Sequence, residues 1–587
     1  MADAYDAEYD LIVLGAGAAG MTAALVAAIE GARPLLVEST AYVGGTSARS
    51  SGTLWIPDNP ALRRRGVGRD AEFASAYLDA LVGDKAEASL RQAFLAGGPK
   101  MIAYLEQHAA FAFRPYAEHP DYRQDLPGAA MGGRPLEPPE FDGRLLADEF
   151  ERVAWPIREF MLFGSMMVTR GEAARLLRAY KSFDSAWLGA RLVLRYLADR
   201  LSYRRGTRLV LGNALVARLY KGLLDRRVPV WFSARTGALI VDSGKLRGAV
   251  IQHQGQQVRV RAGCGVVLAG GGFPASAAMR ERHFRQPVAR HTPAYDGCVG
   301  ETIRLGCEAG GALGAGGEDN ALWFPSSVAT RADGTTAVYP HIVLDRAKPG
   351  LVAVGSTGKR FTNEAVAYHE FTRAMYRANG KPGTTIPAWL VCDRRFIWRY
   401  GLGMIRPMTP RLRSHVASGY LHEAQTVEHL ARSIGVDPAG LFETVQRQNE
   451  FARSGIDADF AKGGNPYDRA NGDPANRPNP CLGPIDKAPF YAVRIEPTPL
   501  GTSLGLRTNE RAQVCDAAGK PLEGLYAAGN DMHSVMGGEY PGAGAQLGPA
   551  MTFGYLAALH AVQGRAAAAA PGAMTREFAT SNQRRVK

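Results

Sequence analysis

The chain has 587 residues, of which 46% are apolar and 21% charged, and its formal net charge is +13. This composition is typical of a globular protein and excludes disordered, collagen-like and coiled-coil chains. The six cysteines form no CxxC or Cys/His cluster, which argues against a disulfide scaffold, a zinc ribbon and an iron–sulfur site.

The chain carries no signal for secretion or membrane insertion. It opens on the acidic sequence MADAYDAEYD, and no uncharged apolar run reaches the roughly 20 residues of a spanning helix. We therefore expect a cytoplasmic protein, with attachment to the inner face of the cell membrane as a further hypothesis taken up below.

The first predicted elements form a strand–turn–helix–strand unit. The apolar residues 9–13 precede GAGAAG, and an alanine-rich helical stretch over 21–29 leads to an apolar strand over 34–37. Gly15 permits a tight turn, Gly17 lets the backbone approach a pyrophosphate, and Gly20 lets the helix pack on the sheet. Glu38, which closes the second strand, can accept hydrogen bonds from an adenosine ribose. The unit therefore predicts a bound dinucleotide.

Three later segments favour FAD over NAD. Residues 44–47 (GGTS) form a second backbone-rich loop, and residues 266–272 (VVLAGGG) predict a buried strand that ends in a glycine turn. Residues 524–530 (GLYAAGN) predict another strand and turn, followed by a helix near 549–560. A cofactor held by both ends of the chain suits a long ligand such as FAD.

These motifs resemble a known family. The set GAGAAG, GGTSARSSG, AGGGF, GLYAAGN and YPGAGAQLGPAMTFGYLAA is similar to the fumarate reductase/3-ketosteroid dehydrogenase group of flavoproteins, over residues 9–562. The resemblance implies an α/β fold, with a Rossmann-type FAD-binding domain built from both chain ends (1–314 and 482–565). It also implies an inserted α+β substrate domain (315–481), and we expect a flexible tail over 566–587.

The resemblance implies FAD as the cofactor. Residues 46–52 show no match to the histidine that attaches the flavin covalently in some relatives, so noncovalent binding is expected. The expected cofactor-binding residues are Gly15, Gly17, Ala18, Ala19, Gly20, Glu38, Gly44, Gly45, Thr46, Ser47, Gly52, Ala269, Gly270, Gly529, Asn530, Gln546 and Leu547.

The glycine-rich segment 537–548 distinguishes between reactions in this group. Fumarate-reducing members clamp a dianion with cationic side chains, but GGEYPGAGAQLG contains no Arg, Lys or His. The segment instead resembles the 3-ketosteroid Δ1-dehydrogenases, in which a Tyr-Pro-Gly-x-Gly run faces the steroid ketone. Tyr540 and Gly544 match that run. By their flanking residues, Tyr368 matches the family's catalytic base and Tyr122 the helper of that base, with Tyr116 as the alternative helper.

The resemblance implies that the enzyme introduces a double bond between carbons 1 and 2 of a 3-ketosteroid. Tyr540 O–H and Gly544 N–H would form an uncharged oxyanion hole for the ketone. Tyr368 would remove the carbon 2 proton while flavin N5 accepts the hydride from carbon 1. A tyrosine has a pKa near 10, so this base needs a donor, for which Tyr122 is the candidate, or a nearby positive charge.

Such a site suits an apolar substrate, and sterol-type ketones such as cholest-4-en-3-one are among those expected. An external electron acceptor, a quinone or similar, would reoxidise the flavin. Three alternatives stay open: dehydrogenation at the steroid 4/5 bond, a flavin enoate reductase, and a peripheral membrane flavoprotein that transfers electrons. Trp323 and Phe324 are either substrate-wall or core residues. The charged and polar side chains near Tyr368 (Arg360, Asn363, Glu364 and Arg373) are expected to form a structural network.

Residues 155–205 have no obvious counterpart in the shorter Δ1-dehydrogenases and carry a net charge of +6. Residues 160–169 (FMLFGSMMVT) are apolar, and an apolar stripe recurs beyond them at helical spacing (Leu176, Tyr180, Phe183, Trp187, Leu194, Leu197 and Leu201). Apolar side chains beside arginines are typical of helices that lie in a membrane interface. The alternative is a helical pair that packs on the protein or on a second subunit. Nucleic-acid binding is not expected, because no base-reading motif accompanies the charge.

Overall fold

The structure is a computed structural model that describes residues 5–68, 70–176, 182–381 and 383–569, without the side chains of residues 174 and 565–569. Within these residues the strands are β1 (Ala7–Leu14), β2 (Pro34–Val37), β3 (Leu54–Trp55), β4 (Arg114–Pro115), β5 (Pro135–Glu137), β6 (Phe141–Asp142), β7 (Arg208–Leu209), β8 (Val230–Trp231), β9 (Arg235–Asp242), β10 (Lys245–His253), β11 (Gln256–Leu268), β12 (Ala321–Thr330), β13 (Thr336–Pro340), β14 (Leu351–Val354), β15 (Ala388–Asp393), β16 (His422–Ala424), β17 (Phe490–Thr502), β18 (Gln513–Cys515) and β19 (Pro521–Ala527).

The helices of the same residues are α1 (Ala18–Ile29), α2 (Gly45–Ala48), α3 (Pro60–Arg64), α4 (Asp70–Val82), α5 (Ala88–His108), α6 (Arg170–Leu176), α7 (Phe183–Asp199), α8 (Leu211–Asp225), α9 (Ala277–His283), α10 (Glu301–Glu308), α11 (Tyr368–Ala378), α12 (Arg394–Tyr400), α13 (Arg413–Ala417), α14 (Val427–Ser433), α15 (Pro438–Ser454), α16 (Pro466–Asn471) and α17 (Leu547–Ala569). Short 3₁₀ turns span Gly143–Arg152, Arg158–Phe160 and Gly529–Asp531. The predicted tail from residue 566 is shorter than expected, because α17 continues to Ala569; residues 570–587 lie outside the described residues.

Both ends of the chain build the larger sheet, as predicted. Strand β1 pairs in parallel with β2 on one side and β11 on the other, and β11 pairs in parallel with β19. Strands β9, β10 and β11 form an antiparallel extension. Helices α1 and α17 pack together against this sheet and α8 packs on α1, and the fully buried alanines of these helices allow the close approach. The α/β class and the Rossmann-type FAD-binding fold are therefore confirmed.

A second, antiparallel sheet is inserted between these two ends. Its strand order is β13-β12-β17-β15-β14, and β16 also pairs with β17. Since β17 lies in this sheet, the sheet continues to Thr502, beyond the predicted domain boundary at residue 482. The division of the chain at 314 and 481 stays a prediction.

Segment 155–205 folds as two helices that face different surroundings. Leu188, Leu192 and Tyr196 of α7 pack on Met166, and the face with Trp187 is exposed. The residues between α6 and α7, including Tyr180 of the predicted stripe, lie outside the described residues. No helix in the described ranges has the length and apolar character needed to cross a bilayer.

Candidate functional site

The candidate site is one cavity at the carboxyl edge of the parallel sheet. Leu14 is in register with Val37 on one side and with Leu268 on the other, and Leu268 is in register with Ala527. The loops that follow these strands therefore meet at one edge, which is where ligands bind in parallel α/β sheets. The cavity there has a volume of about 420 Å³ and extends from the glycine loop after β1 to the three predicted tyrosines.

The glycine loop has the geometry that its sequence predicts. Gly15 has a φ of +110°, and a Cβ there would lie 2.3 Å from the carbonyl oxygen of Ala269. A Cβ on Gly20 would lie 1.9 Å from the Gly15 carbonyl oxygen, so this position serves the packing of α1. Gly17 lines the cavity, and a Cβ there would lie 3.8 Å from Ser47 Oγ, an ordinary contact distance. Helix α1 begins next to it, so the positive end of the helix dipole faces the cavity.

Glu38 also lines the cavity and fixes the loops around it. Its carboxylate accepts hydrogen bonds from the Ala16 N–H at 2.9 Å and from the Thr40 N–H at 2.9 Å. Burial raises the pKa of Glu38, and these hydrogen bonds oppose the rise. Ser47 Oγ accepts from the Ala18 N–H at 3.1 Å and so joins the second loop to the first.

Most of the predicted cofactor-binding residues line this cavity. They are Gly15, Gly17, Ala18, Ala19, Glu38, Gly45, Thr46, Ser47, Ala269, Gly270, Gly529, Asn530, Gln546 and Leu547. Gly20, Gly44 and Gly52 do not line it. A Cβ on Gly44 would lie 2.9 Å from the Val216 side chain, and one on Gly52 would lie 2.6 Å from the Leu211 backbone. These two glycines therefore serve loop packing.

The cavity fits FAD by its donor set. At one end a helix N-terminus and backbone-rich loops suit a pyrophosphate, and Glu38 suits a ribose. Asp531, which the sequence analysis missed, accepts the Gly270 and Gly272 N–H groups at 2.7 and 2.8 Å. It thereby holds the glycine turn after β11 against the chain after β19.

The three predicted tyrosines meet at the other end of the cavity. Tyr122 donates a hydrogen bond to the Tyr368 hydroxyl at 3.1 Å. The Tyr540 ring centroid lies 5.1 Å from that of Tyr368 and 5.6 Å from that of Tyr122. Tyr116, the alternative helper, lines the cavity but donates nothing to Tyr368 within the described residues. The geometry therefore favours Tyr122 as the partner of Tyr368.

Gly544 lies beside these tyrosines with an N–H free to donate. Its φ is +94°, its carbonyl oxygen accepts from the Trp55 N–H at 3.1 Å, and a Cβ would lie 2.5 Å from the Trp55 nitrogen. No acceptor for the Gly544 N–H is found in the described part of the chain, and the residue lines the cavity. Gln546 donates to the Tyr540 hydroxyl at 3.2 Å, which leaves the phenolic proton of Tyr540 to be donated elsewhere.

Burial raises the pKa of all three phenols. For Tyr122 and Tyr368 it holds the pKa well above 10, and for Tyr540 the rise is opposed by hydrogen bonds from Tyr368 and Gln546. The hydrogen bond with Tyr368 and the charge of Arg170 act to lower the pKa of Tyr122. The surrounding residues thus keep these hydroxyls protonated at neutral pH, and the downward tuning expected for Tyr368 is not supplied by the protein residues alone.

Aromatic side chains surround the tyrosines. The Phe324 ring stacks on Tyr368 at 4.1 Å and lines the cavity, whereas Trp323 points to the opposite face of β12 and donates to Asp319. Phe324 is therefore a wall residue and Trp323 a core residue. Tyr467, which the sequence analysis missed, packs 4.9 Å from Tyr122.

Arg346 joins the cavity wall to the segment before Tyr368. Its guanidinium is buried and donates to the His341 and Ile342 carbonyl oxygens on one side, at 2.8 and 3.0 Å. On the other side it donates to the carbonyl oxygens of Glu364 and Val366, at 2.7 and 3.1 Å. Ile342 lines the cavity. Arg346 therefore fixes the wall relative to Tyr368, the first residue of α11.

The polar residues near Tyr368 form the predicted structural network. Arg360 pairs with Glu364 and Asp457 at 2.8 Å, and Arg373 pairs with Asp319 at 2.8 Å and with Glu539 at 2.6 Å. Asn363 donates to Asp468 at 2.8 Å. None of the four predicted members (Arg360, Asn363, Glu364 and Arg373) lines the cavity in the described part of the chain.

Part of segment 155–205 folds inward to line the cavity. Its lining residues include Ile157, Phe160, Met161, Met167 and Val168. Most of the apolar stretch 160–169, which contributed to the membrane hypothesis, is therefore buried or lines the cavity, and its exposed residues are Phe163 and Gly164. Sequence alone cannot separate a pocket wall from a membrane face, because both are equally apolar.

Comparisons with known proteins agree with this geometry. The FAD binding domain family matches residues 10–547. The chain is 36% identical to the 3-oxosteroid 1-dehydrogenase of Mycobacterium tuberculosis H37Rv, over 94% of this chain and 98% of that protein. It is 35% identical to the 4-oxocyclohex-2-ene-1-carboxylate 5-dehydrogenase of Sinomonas cyclohexanicum, over 93% and 92% of the two chains. The crystal structure of 3-ketosteroid Δ1-dehydrogenase from Sterolibacterium denitrificans, in complex with 1,4-androstadiene-3,17-dione, matches with a TM-score of 0.89 at 37% identity, covering 95% of this chain and all of that one.

Proposed function

Because the chain belongs to the FAD-binding family that includes the 3-oxosteroid 1-dehydrogenases, we propose that it oxidises the carbon 1/carbon 2 bond of 3-ketosteroids with FAD. The observation that carries this proposal is the Tyr122–Tyr368 hydrogen bond of 3.1 Å in a cavity that Tyr540 and Gly544 also line. These uncharged groups suit a ketone with an acidic neighbouring C–H.

In the proposed reaction the ketone oxygen accepts hydrogen bonds from Tyr540 O–H and Gly544 N–H. These donors stabilise the negative charge that develops on the oxygen when carbon 2 loses its proton. Tyr368 takes that proton, and the electron pair of the carbon 2 C–H bond forms the new double bond as hydride leaves carbon 1. When bound, FAD supplies the ring nitrogen that accepts this hydride. An external acceptor, a quinone or similar, must then remove the two electrons.

Tyr122 stabilises the base by donating a hydrogen bond to the oxygen of Tyr368, whether Tyr368 is a phenol or a phenolate. A hydrogen bond to the charged form lowers the pKa of the group that receives it. Tyr368 is also the first residue of α11, and the positive end of a helix dipole favours a negative charge there. Burial and the neighbouring phenols hold the pKa of Tyr368 well above 10 in the protein alone, so in this proposal the two effects act on the phenolate that proton removal requires.

The steroid class is favoured over smaller cyclic ketones by the apolar wall. Relatives named for oxocyclohexane and oxocyclohexene carboxylates share the ring-ketone chemistry. Five side chains of segment 155–205 extend the apolar wall beyond the tyrosines (Ile157, Phe160, Met161, Met167 and Val168). A multi-ring substrate would cover this wall, whereas a single ring would leave it exposed to water.

The test is anaerobic reduction of the bound flavin by a 3-ketosteroid, followed by NMR of the product. A double bond between carbons 1 and 2 supports the proposal, and one at the 4/5 position supports the first alternative. Tyr540→Phe should slow reduction about 100-fold to 1000-fold, the cost of losing an oxyanion donor. Tyr368→Phe should abolish detectable turnover while the flavin stays bound. Unchanged reduction in both variants would contradict the assignment.

We also propose that the protein attaches to a membrane surface through the exposed face of α7. Phe183, Trp187, Leu194 and Leu197 of α7 are all more than half exposed, Trp187 at 62%, and Leu201, just beyond the helix, is 88% exposed. Arg191 of α7 and Arg200, directly after the last residue of α7, are exposed and can meet anionic head groups. The alternative that this stripe packs on the protein is not supported, because α7 uses its opposite face for packing.

Sedimentation with vesicles containing anionic lipid tests this attachment. Replacing Trp187, Leu194 and Leu201 by serine should move the protein to the supernatant without loss of steroid oxidation. Phe442→Ser, at an exposed phenylalanine of α15, is the matched control and should still sediment. Equal sedimentation of both proteins would contradict the proposal.

A further inference from the structure

The substrate cavity has a polar corner that the proposed reaction does not use. Arg170, the first residue of α6, lines the cavity together with Tyr116, His119 and Glu137. Ring contacts lead to this corner from the ketone end, through Tyr122 to His119 at 6.1 Å and from His119 to Tyr116 at 5.0 Å. Arg170 donates to Tyr116 at the end of this series of rings, and its charge still acts on Tyr122.

The Arg170 guanidinium contacts only neutral groups. It donates to Asn471 Oδ1 at 3.1 Å and to the Tyr116 hydroxyl at 3.5 Å, the upper limit for a hydrogen bond. No carboxylate lies within 4.0 Å of it among the residues that the structure describes. Glu172, its neighbour on α6, pairs with Arg208 at 2.6 Å instead. Arginines that are partly buried in a cavity usually pair with an anion, because guanidinium and carboxylate groups fit as a fork.

The surrounding charges favour an anion in this corner. Lys348 lies behind Asn471 and donates to its carbonyl oxygen at 2.8 Å, and burial and the charge of Arg170 lower the pKa of Lys348 to about 8. Asp473 is the acid whose charge acts most strongly on Lys348, but its carboxylate already pairs with Arg399 and accepts a hydrogen bond from Tyr400. Glu137 is the acid that faces the cavity here; burial raises the pKa of its carboxyl group, and the charges of Arg170 and Arg114 oppose the rise without an ion pair within 4.0 Å among the described residues.

We propose that Arg170 binds a carboxylate at the end of the substrate remote from its ketone, which makes Arg170 a specificity-determining residue. The substrates are then 3-oxosteroids whose side chain ends in a carboxylic acid. This inference rests on the proposed function, since the ketone must sit at Tyr540 and Gly544 for the side chain to reach α6. Because Tyr116 and Asn471 hold the guanidinium weakly, it can turn toward the anion without breaking an ion pair.

The experiment compares two substrates that differ only in charge: a 3-oxo-4-ene steroid with a carboxylate side chain and the methyl ester of the same acid. Anaerobic flavin reduction by the wild-type holoenzyme should show a KM about tenfold to a hundredfold lower for the acid, the effect of one bidentate guanidinium–carboxylate pair. Arg170→Gln should remove this preference by raising the KM of the acid alone, and Arg170→Lys should keep part of it.

Arg158→Gln is the matched control, because Arg158 belongs to the same segment but is exposed and paired with Asp333. It should leave both KM values unchanged. Equal KM values for acid and ester in the wild type, or an equal change of both in Arg170→Gln, would overturn the inference. If Arg170→Gln fails to fold, the wild-type comparison and Arg170→Lys still decide it. Oxidation of the ester shows that the proposed function stands even where the carboxylate preference fails.

Discussion

Replacing Tyr122 by phenylalanine removes one hydroxyl and tests the proposed base directly. The hydroxyl donates to Tyr368 at 3.1 Å, and both rings are buried, so water cannot replace the lost donor without entering the cluster. A hydrogen bond to a charged group contributes about 1.5–3 kcal/mol. At 1.36 kcal/mol per factor of ten, the rate of flavin reduction should fall about 10-fold to 150-fold. KM should change little, because the bond strengthens only as charge develops on Tyr368.

Stopped-flow measurement of flavin bleaching under anaerobic conditions gives this rate. The rising limb of its pH profile should also move to higher pH by about one to two units, because the phenolate has lost its donor. Tyr467→Phe is the matched control: its ring lies 4.9 Å from that of Tyr122, but its hydroxyl makes no hydrogen bond to Tyr368 among the described residues. A wild-type rate in Tyr122→Phe, or the same loss in both variants, would refute the reasoning.

Three further predictions concern the cofactor loop, the pH profile and acid stability. Gly15→Ala should lower the flavin-to-protein absorbance ratio severalfold, because its Cβ would lie 2.3 Å from a carbonyl oxygen. Gly31→Ala, also at positive φ but in open space, should keep the flavin, and equal loss in both would contradict this. Flavin reduction in the wild type should become faster as pH rises from neutral to alkaline. Burial raises the pKa of Tyr368, and only the phenolate form of this residue accepts a proton. A flat pH profile would argue against Tyr368 as the base. The ion pair with His341 lowers the pKa of Asp345 to about 2 in the folded protein, from 3.8 in the unfolded chain. The stabilising effect of this pair is therefore complete above pH 3.8 and is lost as the pH falls through the folded-state pKa of Asp345. Urea unfolding should show that wild type loses about 2 kcal/mol more than Asp345→Asn between about pH 5 and pH 2, and identical losses would contradict the pairing.

The nucleotide unit was predictable because its signals are local. Strand β2 has the predicted bounds. Gly20 is required by its backbone contact with Gly15, five residues away, and Gly15 by its contact with the backbone that follows the adjacent strand β11. The tyrosine cluster was predictable for another reason. Tyr122, Tyr368 and Tyr540 lie far apart in the chain, and only the resemblance of their flanking motifs indicated that they meet.

The residues that the sequence analysis missed depend on long-range packing. Arg346 lies in a stretch without a motif, and its role follows from carbonyl groups on two segments that only the folded chain brings together. Arg170 was counted with the basic residues of segment 155–205, as was Arg205, which is in fact buried beneath Phe150. Charge and periodicity described this segment as uniform, but tertiary contacts divide it into a pocket wall and an exposed helix face.

The tether formed by Arg346 bears on how substrate range could be widened by engineering. The same guanidinium holds the backbone carbonyls of Ile342 and of Val366, two residues before Tyr368, so a change that shifts the backbone near residue 342 to admit a bulkier ring system would also displace the proton acceptor. Met161 and Met167 also line the cavity but make no hydrogen bond to Arg346 among the described residues, and methionine tolerates replacement in irregular packing. Libraries that vary the methionine side should therefore yield altered selectivity with turnover intact, whereas those that vary the tethered side should trade one for the other.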